Sequence, residues 1–342
     1  MAKAIMILIL TENCDSHADK VEQRLRQRAA DLLRLDPQRF PAKQGISIAY
    51  STTGKMRCTL CMGDTQVDLE RVKSVWYRRP NLPVADPAIT DSLTAGYVAE
   101  ESKLFLNDIW NTMECLWVPG PPVALRTAGF KASQLKLAGS LGFDLPPTLI
   151  TNNPEEFLEF YHLHSGNVVS KLIGPALYRS MGRTFNRYTQ VVTKRDLAYW
   201  RTIRYCPVIF QAYVPKRIEL RITVVGREVF AAEIHSQHSN QTRHDWRRYD
   251  QFETPYFPHE LPAELQARCL HLVERLGLCY GAIDMVLTPD GRYVFLEINP
   301  NGQYLWIEQM TGLPISEAIC DLLMSRAGMP QTVQPDSNFA TV

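Results

Sequence analysis

The sequence predicts a mixed α/β protein of two or three domains. Its 342 residues suffice for that number of modest domains. Runs rich in Val, Ile, Leu and Tyr alternate with amphipathic helical patterns along the chain. Residues 280–303 read YGAIDMVLTPDGRYVFLEINPNGQ, in which two apolar runs flank the turn Thr288-Pro289-Asp290-Gly291 and predict a β-hairpin.

The first 120 residues are predicted to form an α/β domain that begins with a buried strand. Apolar spacing gives its elements in order: strand 4–10, helix 17–34 with Val21, Leu25 and Leu32 on its buried side, strands 46–50, 56–61 and 72–77, and helix 95–116. The run Val118-Pro119-Gly120-Pro121-Pro122 then breaks regular structure and predicts a domain boundary between residues 120 and 121.

A central domain is predicted over residues 121–205. One of its helices has a clear start signal, because Asn153 can cap it, Pro154 takes its first position, and two glutamates follow at its positive end. The other predicted elements are helix 130–141, strands 147–151, 167–173 and 189–193, and a glycine-containing basic loop at 174–187.

A C-terminal domain is predicted over residues 206–328, and residues 329–342 are predicted to be a disordered tail. The predicted elements before the late hairpin are strand 208–214, a hairpin of 219–225 and 228–237, and an amphipathic helix over 262–276. A helix over 314–325 is predicted to close the domain.

The two acids of the late hairpin, Asp284 and Glu297, stand among large apolar residues. A two-residue loop, at 289–290 or at 290–291, would place them on one face, either diagonal or directly opposite with Cβ atoms about 5 Å apart. Asn299 continues that face. Two repelling carboxylates and an amide, all hard oxygen donors, predict a Mg²⁺ site shared with phosphate. The alternative is a solvated face of an ordinary hairpin.

Two lysines are candidates for binding phosphate. Lys131 begins a predicted helix, where backbone N–H groups add positive potential. Lys171 lies in the apolar run VVSKLIG, where an unpaired buried ammonium would be costly, so we expect it to face an anion. An exposed strand face is the alternative for Lys171.

Composition excludes several classes of partner. The net charge is +1 and no basic block is interleaved with aromatic residues, which argues against nucleic acid. No apolar run approaches the roughly 20 residues that cross a bilayer, and the N-terminal run lacks a signal-peptide cleavage site. We therefore expect a cytoplasmic protein with no membrane partner.

An acid in one strand followed by Glu-x-Asn in the next, late in the chain and before a helix, resembles the metal-binding end of the ATP-grasp ligases. The resemblance implies an ATP-grasp fold with an N-terminal pre-ATP-grasp α/β domain, a central domain and a C-terminal metal-binding domain. It also implies that loop 174–187 is a lid over the phosphates of ATP. The residues it implies for nucleotide binding are Lys131, Lys171, Gln211, Ala212, Tyr213, Val214 and Glu219.

Two positions of this pattern have further implications. The family usually has an acid where this chain has Ala212, which leaves adenine recognition to backbone groups. Arg221, two residues after Glu219, corresponds to the arginine that faces the transferred phosphate.

Four segments in order narrow the resemblance to the microviridin-type peptide ligases, also called graspetide macrocyclases. They are Val75-Trp76-Tyr77-Arg78-Arg79-Pro80, the segment 145–154 (LPPTLITNNP), Asp245-Trp246-Arg247, and the segment 296–303 (LEINPNGQ). The family implies ATP and Mg²⁺ as cofactors, a precursor peptide with leader and core as partner, and a homodimer.

The implied reaction phosphorylates an Asp or Glu side chain of the precursor, and a Thr or Ser hydroxyl or a Lys amine then closes an ω-ester or ω-amide ring. Arg221 and Arg247 are predicted to hold the acceptor carboxylate, and His235 to take the hydroxyl proton. Zinc binding by Glu233, His235, His238 and His244 is disfavoured, since they lack a fixed ligand spacing. The alternatives are a ligase that joins free amino acids or adds them to a protein terminus, and a non-catalytic peptide-binding module.

Overall fold

The structure is a computed structural model of the chain. It describes residues 6–174, 177–180, 183–186, 189–238 and 254–325, with backbone only at 177–180, 183–186 and 238. Within these ranges the protein is mixed α/β, as predicted. Three sheets define the architecture: a parallel N-terminal sheet, an antiparallel central sheet and a five-stranded antiparallel C-terminal sheet. The predicted tail, 329–342, lies outside the described residues.

The N-terminal part contains two sheets and two helices. Its elements are β1 (Met6–Thr11), α1 (Ser16–Gln27), β2 (Asp31–Leu35), β3 (Gly45–Tyr50), β4 (Met56–Met62), β5 (Thr65–Asp68), β6 (Val72–Arg79), α2 (Ser92–Thr112) and β7 (Leu116–Val118). The parallel sheet has the order β2-β1-β6-β7, and β3, β4 and β5 form a separate antiparallel sheet. Every residue of β1 is buried, as expected for a parallel strand covered on both faces.

The predicted helix over 17–34 is wrong in its second half. Helix α1 ends at Gln27, and Ala29 adopts a φ of 55°, which reverses the chain. Residues 31–35 then form β2, in which Leu32 pairs with Ile7 of β1. Apolar spacing at 21, 25 and 32 fitted a continuous helix, and no glycine or proline marked the end of α1.

The central part consists of one four-stranded sheet, a small hairpin and short helices. Its elements are α3 (Pro122–Ala128), α4 (Lys131–Ser140), β8 (Thr148–Thr151), α5 (Pro154–Leu163), β9 (Val168–Lys171), β10 (Leu177–Ser180), β11 (Arg183–Asn186), β12 (Gln190–Val191), α6 (Lys194–Leu197) and β13 (Val208–Ala212). The sheet order is β12-β9-β13-β8. β13 pairs with β9 on one side and β8 on the other, and the chain leaves this sheet after Ala212.

The C-terminal part is built on the sheet β16-β15-β14-β17-β18. Its elements are β14 (Ile218–Val225), β15 (Glu228–Ile234), β16 (Tyr256–Pro258), α7 (Ala263–Arg275), β17 (Tyr280–Leu287), β18 (Tyr293–Asn299), α8 (Leu305–Thr311) and α9 (Ile315–Met324). Helix α8 was not predicted. None of the helices in the described ranges has both the length and the apolarity needed to cross a membrane.

Both faces of the C-terminal sheet are covered, by different partners. One face packs against α7 and the central residues Ala128, Ala138 and Phe143. The other packs against α1, α8 and α9, and its core includes Ile7 and Ile9 of β1. The C-terminal sheet is therefore the common support of all three parts, and side chains from each of them can meet at its edges.

Candidate active site

The late hairpin brings Asp284 and Glu297 directly opposite each other, and its turn lies at the predicted residues 288–291, although the loop is longer than the two residues predicted. Leu287 pairs with Tyr293 and Met285 with Phe295, so the loop next to them has more than two residues. A β-bulge between Asp284 and Met285 then leaves Leu296 without a counterpart and pairs Asp284 with Glu297. The longer loop shifts the strand pairing by one residue, and the bulge shifts it back. The prediction that Asp284 and Glu297 share a face is therefore confirmed.

Asn299 joins the two carboxylates through its side-chain amide. Its Nδ2 donates to Asp284 Oδ2 at 3.2 Å and to Glu297 Oε1 at 3.5 Å. The three side chains are partly buried, with Asp284 midway along β17 and with Glu297 and Asn299 at the end of β18. The solvated hairpin face, the alternative from sequence, is therefore wrong.

Each carboxylate is also paired with a cation from another element. Lys131 Nζ is 2.5 Å from Glu297 Oε2, and Arg221 NH1 is 2.6 Å from Asp284 Oδ1. The Lys131 and Glu297 side chains are each 20% exposed, and those of Arg221 and Asp284 are 6% and 14% exposed. The two negative charges are thus balanced by two positive charges in a largely dry position, where electrostatic interactions are strong.

Lys131 reaches Glu297 because α4 is fixed to β18 by a buried glutamine. Gln134 Nε2 donates to the Ile298 carbonyl at 2.8 Å, and the Ile298 N–H donates to Gln134 Oε1 at 3.2 Å. Gln134 is 1% exposed. This reciprocal bond holds the first turn of α4 beside the end of β18 and sets the position of the Lys131 ammonium.

Apart from Arg221, the side chains described above line one cavity of about 350 Å³, a volume in the range of small-molecule sites. Its walls come from α4, the central sheet and the C-terminal sheet. Ten sequence-predicted residues lie in its lining: Lys131, Lys171, Gln211, Ala212, Tyr213, Val214, Glu219, Asp284, Glu297 and Asn299. The apolar part of the wall includes Val169, Ile209 and Leu296, so the cavity combines an apolar slot with a charged end.

Lys171 and the segment after Phe210 are brought to this cavity by neighbouring strands. Lys171 ends β9 and pairs with Ile209 of β13. Gln211 is 3% exposed, and its Nε2 donates to Thr148 Oγ1 at 3.0 Å. The Gln211 side chain is thus engaged in a hydrogen bond within the protein. Residues 212–214 lie beside the cavity, where the chain leaves β13.

Glu219 lies on the same face of β14 as Arg221 and is buried. Its Oε2 is 3.1 Å from Lys216 Nζ, and its Oε1 accepts from Ser236 Oγ at 2.6 Å. Lys216 also lines the cavity, and it was not predicted. A lysine three residues before the predicted glutamate was the signal that could have indicated this pair.

Of the three predicted catalytic residues, Arg221 adjoins the cavity, His235 lies away from it, and Arg247 is outside the described residues. Arg221 contacts Asp284 and, through NH2, the Gln303 carbonyl at 3.3 Å, so it adjoins the charged end of the cavity. His235 is 2.8 Å from Glu233 and is not part of the cavity lining. By strand alternation, Glu233 and His235 point to the face of the sheet opposite Arg221. Arg247 lies outside the described residues.

Glu233 bridges two histidines on that opposite face. His235 Nε2 and His259 Nδ1 are 2.8 and 2.7 Å from its two oxygens. Burial disfavours the charged carboxylate, but the hydrogen bonds from His259 and His235 outweigh it and lower the pKa of Glu233. In the described ranges no three His, Cys, Asp or Glu side chains are placed to hold a metal ion; His244 and the side chain of His238 lie outside those ranges.

The N-terminal part supports the loop after Asn299, which the sequence did not indicate. Arg78, 2% exposed, donates from NH1 to the Asn301 carbonyl and to Asn301 Oδ1, both at 3.3 Å. Asn301 Nδ2 donates to the Tyr77 carbonyl at 2.9 Å. Tyr280 Oη donates to the Gly302 carbonyl at 2.7 Å. Residues separated by more than 200 positions therefore fix the geometry of the predicted metal ligands.

Comparison with known proteins agrees with this architecture. Residues 6–121 match the family model of the MvdD pre-ATP grasp domain. A RiPP-associated ATP-grasp ligase from Chryseobacterium gregarium is 33% identical to this chain, with a TM-score of 0.85. The match covers 93% of this chain and 96% of that chain, whose structure was solved in complex with ADP and a leader and core peptide. No curated protein sequence matches this chain.

Two macrocyclases from Microcystis aeruginosa MRC are also similar. MdnC, bound with the precursor peptide MdnA, is 32% identical with a TM-score of 0.81, covering 93% of this chain and 98% of its own. MdnB is 33% identical with a TM-score of 0.77, covering 93% and 99%. The predicted ATP-grasp fold with a pre-ATP-grasp domain is confirmed. The chain belongs to the family of ATP-grasp peptide ligases and macrocyclases that its sequence resembles, and it is an ATP-dependent ligase.

Proposed function

We propose that this enzyme closes rings in a ribosomally made precursor peptide that carries a leader and a core. It joins an Asp or Glu side chain of the core to a Thr or Ser hydroxyl, as an ω-ester, or to a Lys amine, as an ω-amide. The observation that carries the proposal is one cavity whose lining combines three carboxylates, three lysines and an apolar slot. The family relationship supports a peptide as the substrate.

The donor set fits a magnesium ion. Asp284 and Glu297 supply carboxylate oxygens, and Asn299 can supply its amide oxygen once the amide turns from the orientation in which Nδ2 donates to both carboxylates. These are the hard ligands that Mg²⁺ prefers. When bound, the ion would offset negative charge on the β- and γ-phosphates of ATP. We propose that these three side chains hold it and that the apolar slot beside Ile209 and Leu296 takes the adenine.

Lys131 has a specific part in this scheme. Its ammonium lies against the Glu297 carboxylate. When Glu297 coordinates a cation, the Lys131 ammonium can bind the phosphates of ATP. Its position is fixed by Gln134 and helix α4. Lys171 approaches from β9 on another wall of the same cavity. The two lysines thus orient the triphosphate without adding flexible elements to the site.

The reaction proceeds in two balanced steps. An oxygen of the acceptor carboxylate attacks the γ-phosphorus of ATP, the bond from that phosphorus to the bridging oxygen breaks, and ADP leaves. The hydroxyl or amine then attacks the acyl carbon, loses its proton, and displaces inorganic phosphate. Arg221, beside Asp284 and the Gln303 carbonyl, is positioned to hold the acceptor carboxylate or the transferred phosphate.

The proposal is tested with ATP, Mg²⁺ and candidate precursor peptides rich in Thr, Ser, Asp and Glu. We expect each ring to lower the peptide mass by one water and to release one ADP. Glu297→Gln should abolish both signals while leaving peptide binding largely intact. Asp290→Asn, at the exposed tip of the same hairpin, is the matched control and should keep full activity.

Two outcomes would contradict the proposal. Release of ADP with free amino acids and no peptide would favour a ligase of free amino acids. Peptide binding without ADP release under any condition would favour a non-catalytic binding module. The homodimer and the limits of the three domains remain predictions, which light scattering and limited proteolysis can test.

A further inference from the structure

The carboxyl ends of β1 and β6 lie side by side at one edge of the N-terminal parallel sheet. Thr11 pairs with Arg79 in the last position of the register, and the Glu12 N–H donates to the Arg79 carbonyl at 3.1 Å. Ligands of α/β sheets bind outside this edge, where strands give way to loops. Here the edge adjoins the loop 299–303, because Arg78 contacts Asn301.

The two arginines that end β6 have different environments. Arg78 is 2% exposed, lies 3.5 Å from the Asp15 carboxylate, and donates to Asn301. Its guanidinium is therefore used in contacts within the protein. Arg79 is exposed. Its guanidinium forms no hydrogen bond or ion pair with any residue that the structure describes. One of the two adjacent cations is therefore available for a ligand.

The charges around Arg79 favour an anion. Although part of the Arg79 side chain reaches solvent, protein atoms surround much of its guanidinium. This desolvation and the charge of Arg78 lower the pKa of Arg79, whereas Asp15 and Glu12 raise it. Burial raises the pKa of Tyr280 to about 12, and Arg78, Arg221 and Arg79 all oppose that rise. Guanidinium groups from two domains thus act on the same phenol, whose hydroxyl is bonded to Gly302. An anion bound there would relieve repulsion between like charges.

The 299–303 loop separates this basic region from the nucleotide cavity. Asn299 and Pro300 line the cavity, and Asn301 contacts the N-terminal part. Arg221 spans the two, since it contacts both Asp284 and the Gln303 carbonyl. An anionic group held on the N-terminal side of the loop would therefore lie next to the arginine proposed to act in phosphate transfer.

We propose that Arg79 is a substrate-binding residue that holds the carboxylate of the acceptor Asp or Glu side chain. This inference rests on the proposed function. A guanidinium suits the role, because its planar fork binds both carboxylate oxygens at once and keeps its charge at any physiological pH. The N-terminal domain would then supply part of the acceptor site, and the other two domains would supply the ATP site.

The test uses Arg79→Ala, Arg79→Lys and the control Arg71→Ala with the precursor peptide that the wild-type enzyme cyclises. Arg71 precedes the same strand, lies partly paired with Asp31 and is far along the strand from the edge described here. We expect Arg79→Ala to lower kcat/KM for the peptide about 10- to 100-fold, the usual effect of losing a charged hydrogen-bonding partner. The KM for ATP should not change. Arg79→Lys should recover part of the loss, and Arg71→Ala should match the wild type.

A second measurement distinguishes binding of the carboxylate from general disruption. Peptides with the acceptor Asp or Glu replaced by Asn or Gln are titrated against wild type and Arg79→Ala, and bound peptide is followed by fluorescence anisotropy. The replacement should weaken binding to the wild type and have a smaller effect on Arg79→Ala, which defines a coupling between the two groups. Equal effects on both enzymes would overturn the inference.

Three further outcomes would also overturn it. They are Arg79→Ala as active as Arg71→Ala, a raised KM for ATP with an unchanged KM for peptide, and a lowered melting temperature that accounts for the loss. If the wild type cyclises no peptide, the proposed function fails first. If the wild type does cyclise peptide and Arg79→Ala is unaffected, only the role of Arg79 fails.

Discussion

Replacing Asp284 by asparagine changes the charge at the centre of the site and almost nothing of its shape. In the wild type, Asp284 Oδ1 is 2.6 Å from Arg221 NH1 and Oδ2 accepts from Asn299 at 3.2 Å. The asparagine keeps one oxygen acceptor for Arg221, but it leaves the guanidinium, 6% exposed, facing a neutral group. The replacement therefore separates the carboxylate's part in stability from its part in catalysis.

The expected loss of stability follows from those contacts. A hydrogen bond to a charged partner contributes about 1.5–3 kcal/mol, and removing one member of a buried ion pair costs about 3–5 kcal/mol. Because the amide still accepts one hydrogen bond and Arg221 also contacts Gln303, we expect the free energy of unfolding to fall by about 1.5–3 kcal/mol, the lower of these ranges. Urea unfolding, followed by tryptophan fluorescence, measures this change.

The expected loss of activity is larger, because one anionic ligand of the proposed Mg²⁺ is removed. We expect ADP release at saturating ATP and peptide to fall by at least about 100-fold, as when electrostatic stabilisation of the transition state is lost. Raising the Mg²⁺ concentration should recover part of it. Asp290→Asn serves as the control on the same hairpin. An Asp284→Asn enzyme that is destabilised as described but releases ADP at half the wild-type rate would refute a metal-binding role for Asp284.

Three other perturbations test the surroundings of the site. A methyl group at Gly302 would overlap the Ala282 side chain, so Gly302→Ala should displace the loop after Asn299, lower the free energy of unfolding by about 1–3 kcal/mol and abolish ADP release; full activity would contradict this packing. Burial, and then the charge of Arg78, lower the pKa of His17 to about 3 from 6.5, so the unfolded chain binds a proton between these values that the folded chain does not. Wild-type stability should therefore decrease as pH falls through this range, by up to about 1.4 kcal/mol per pH unit, and His17→Gln should show a smaller slope in urea unfolding. The lowered pKa of Glu233 contributes stability above its unfolded value near 4.5 that is lost as pH falls through the folded value. Glu233→Gln should therefore be less stable than the wild type at pH 7, with the difference closing in acid; a constant difference would contradict the bonds to its two histidines.

Local patterns predicted much of the fold. The start signal at Asn153 was correct, since its side chain accepts from the Glu155 N–H at 3.0 Å. Helix α7 lies within one residue of its predicted limits and buries Leu265, Cys269 and Leu272 as expected. These features depend on residues close in sequence. The end of α1 was not predictable in the same way, because Ala29 in a left-handed conformation carries no compositional signal.

In the site, too, features set by neighbouring residues were predictable, and contacts between distant residues were not. The face shared by Asp284 and Glu297 followed from strand periodicity, although two errors in the register cancelled: the loop was longer than predicted and Leu296 forms a bulge. The pairing of Lys131 with Glu297 joins positions 166 apart, and spacing cannot indicate contacts of that kind. The resemblance to the ATP-grasp ligases assigned these residues to one site. His235 was predicted to take the hydroxyl proton, but its side chain bonds Glu233 on the other face of the sheet.

The most direct test is a crystal structure of the enzyme with a non-hydrolysable ATP analogue and Mn²⁺, located by its anomalous signal. We expect one metal peak at a bonding distance of about 2.1 Å from carboxylate oxygens of both Asp284 and Glu297, with phosphate oxygens completing its coordination. We also expect the Lys131 ammonium to contact the phosphates and not Glu297. A nucleotide bound elsewhere, or a metal peak away from these acids with the Lys131–Glu297 pair intact, would contradict this proposal.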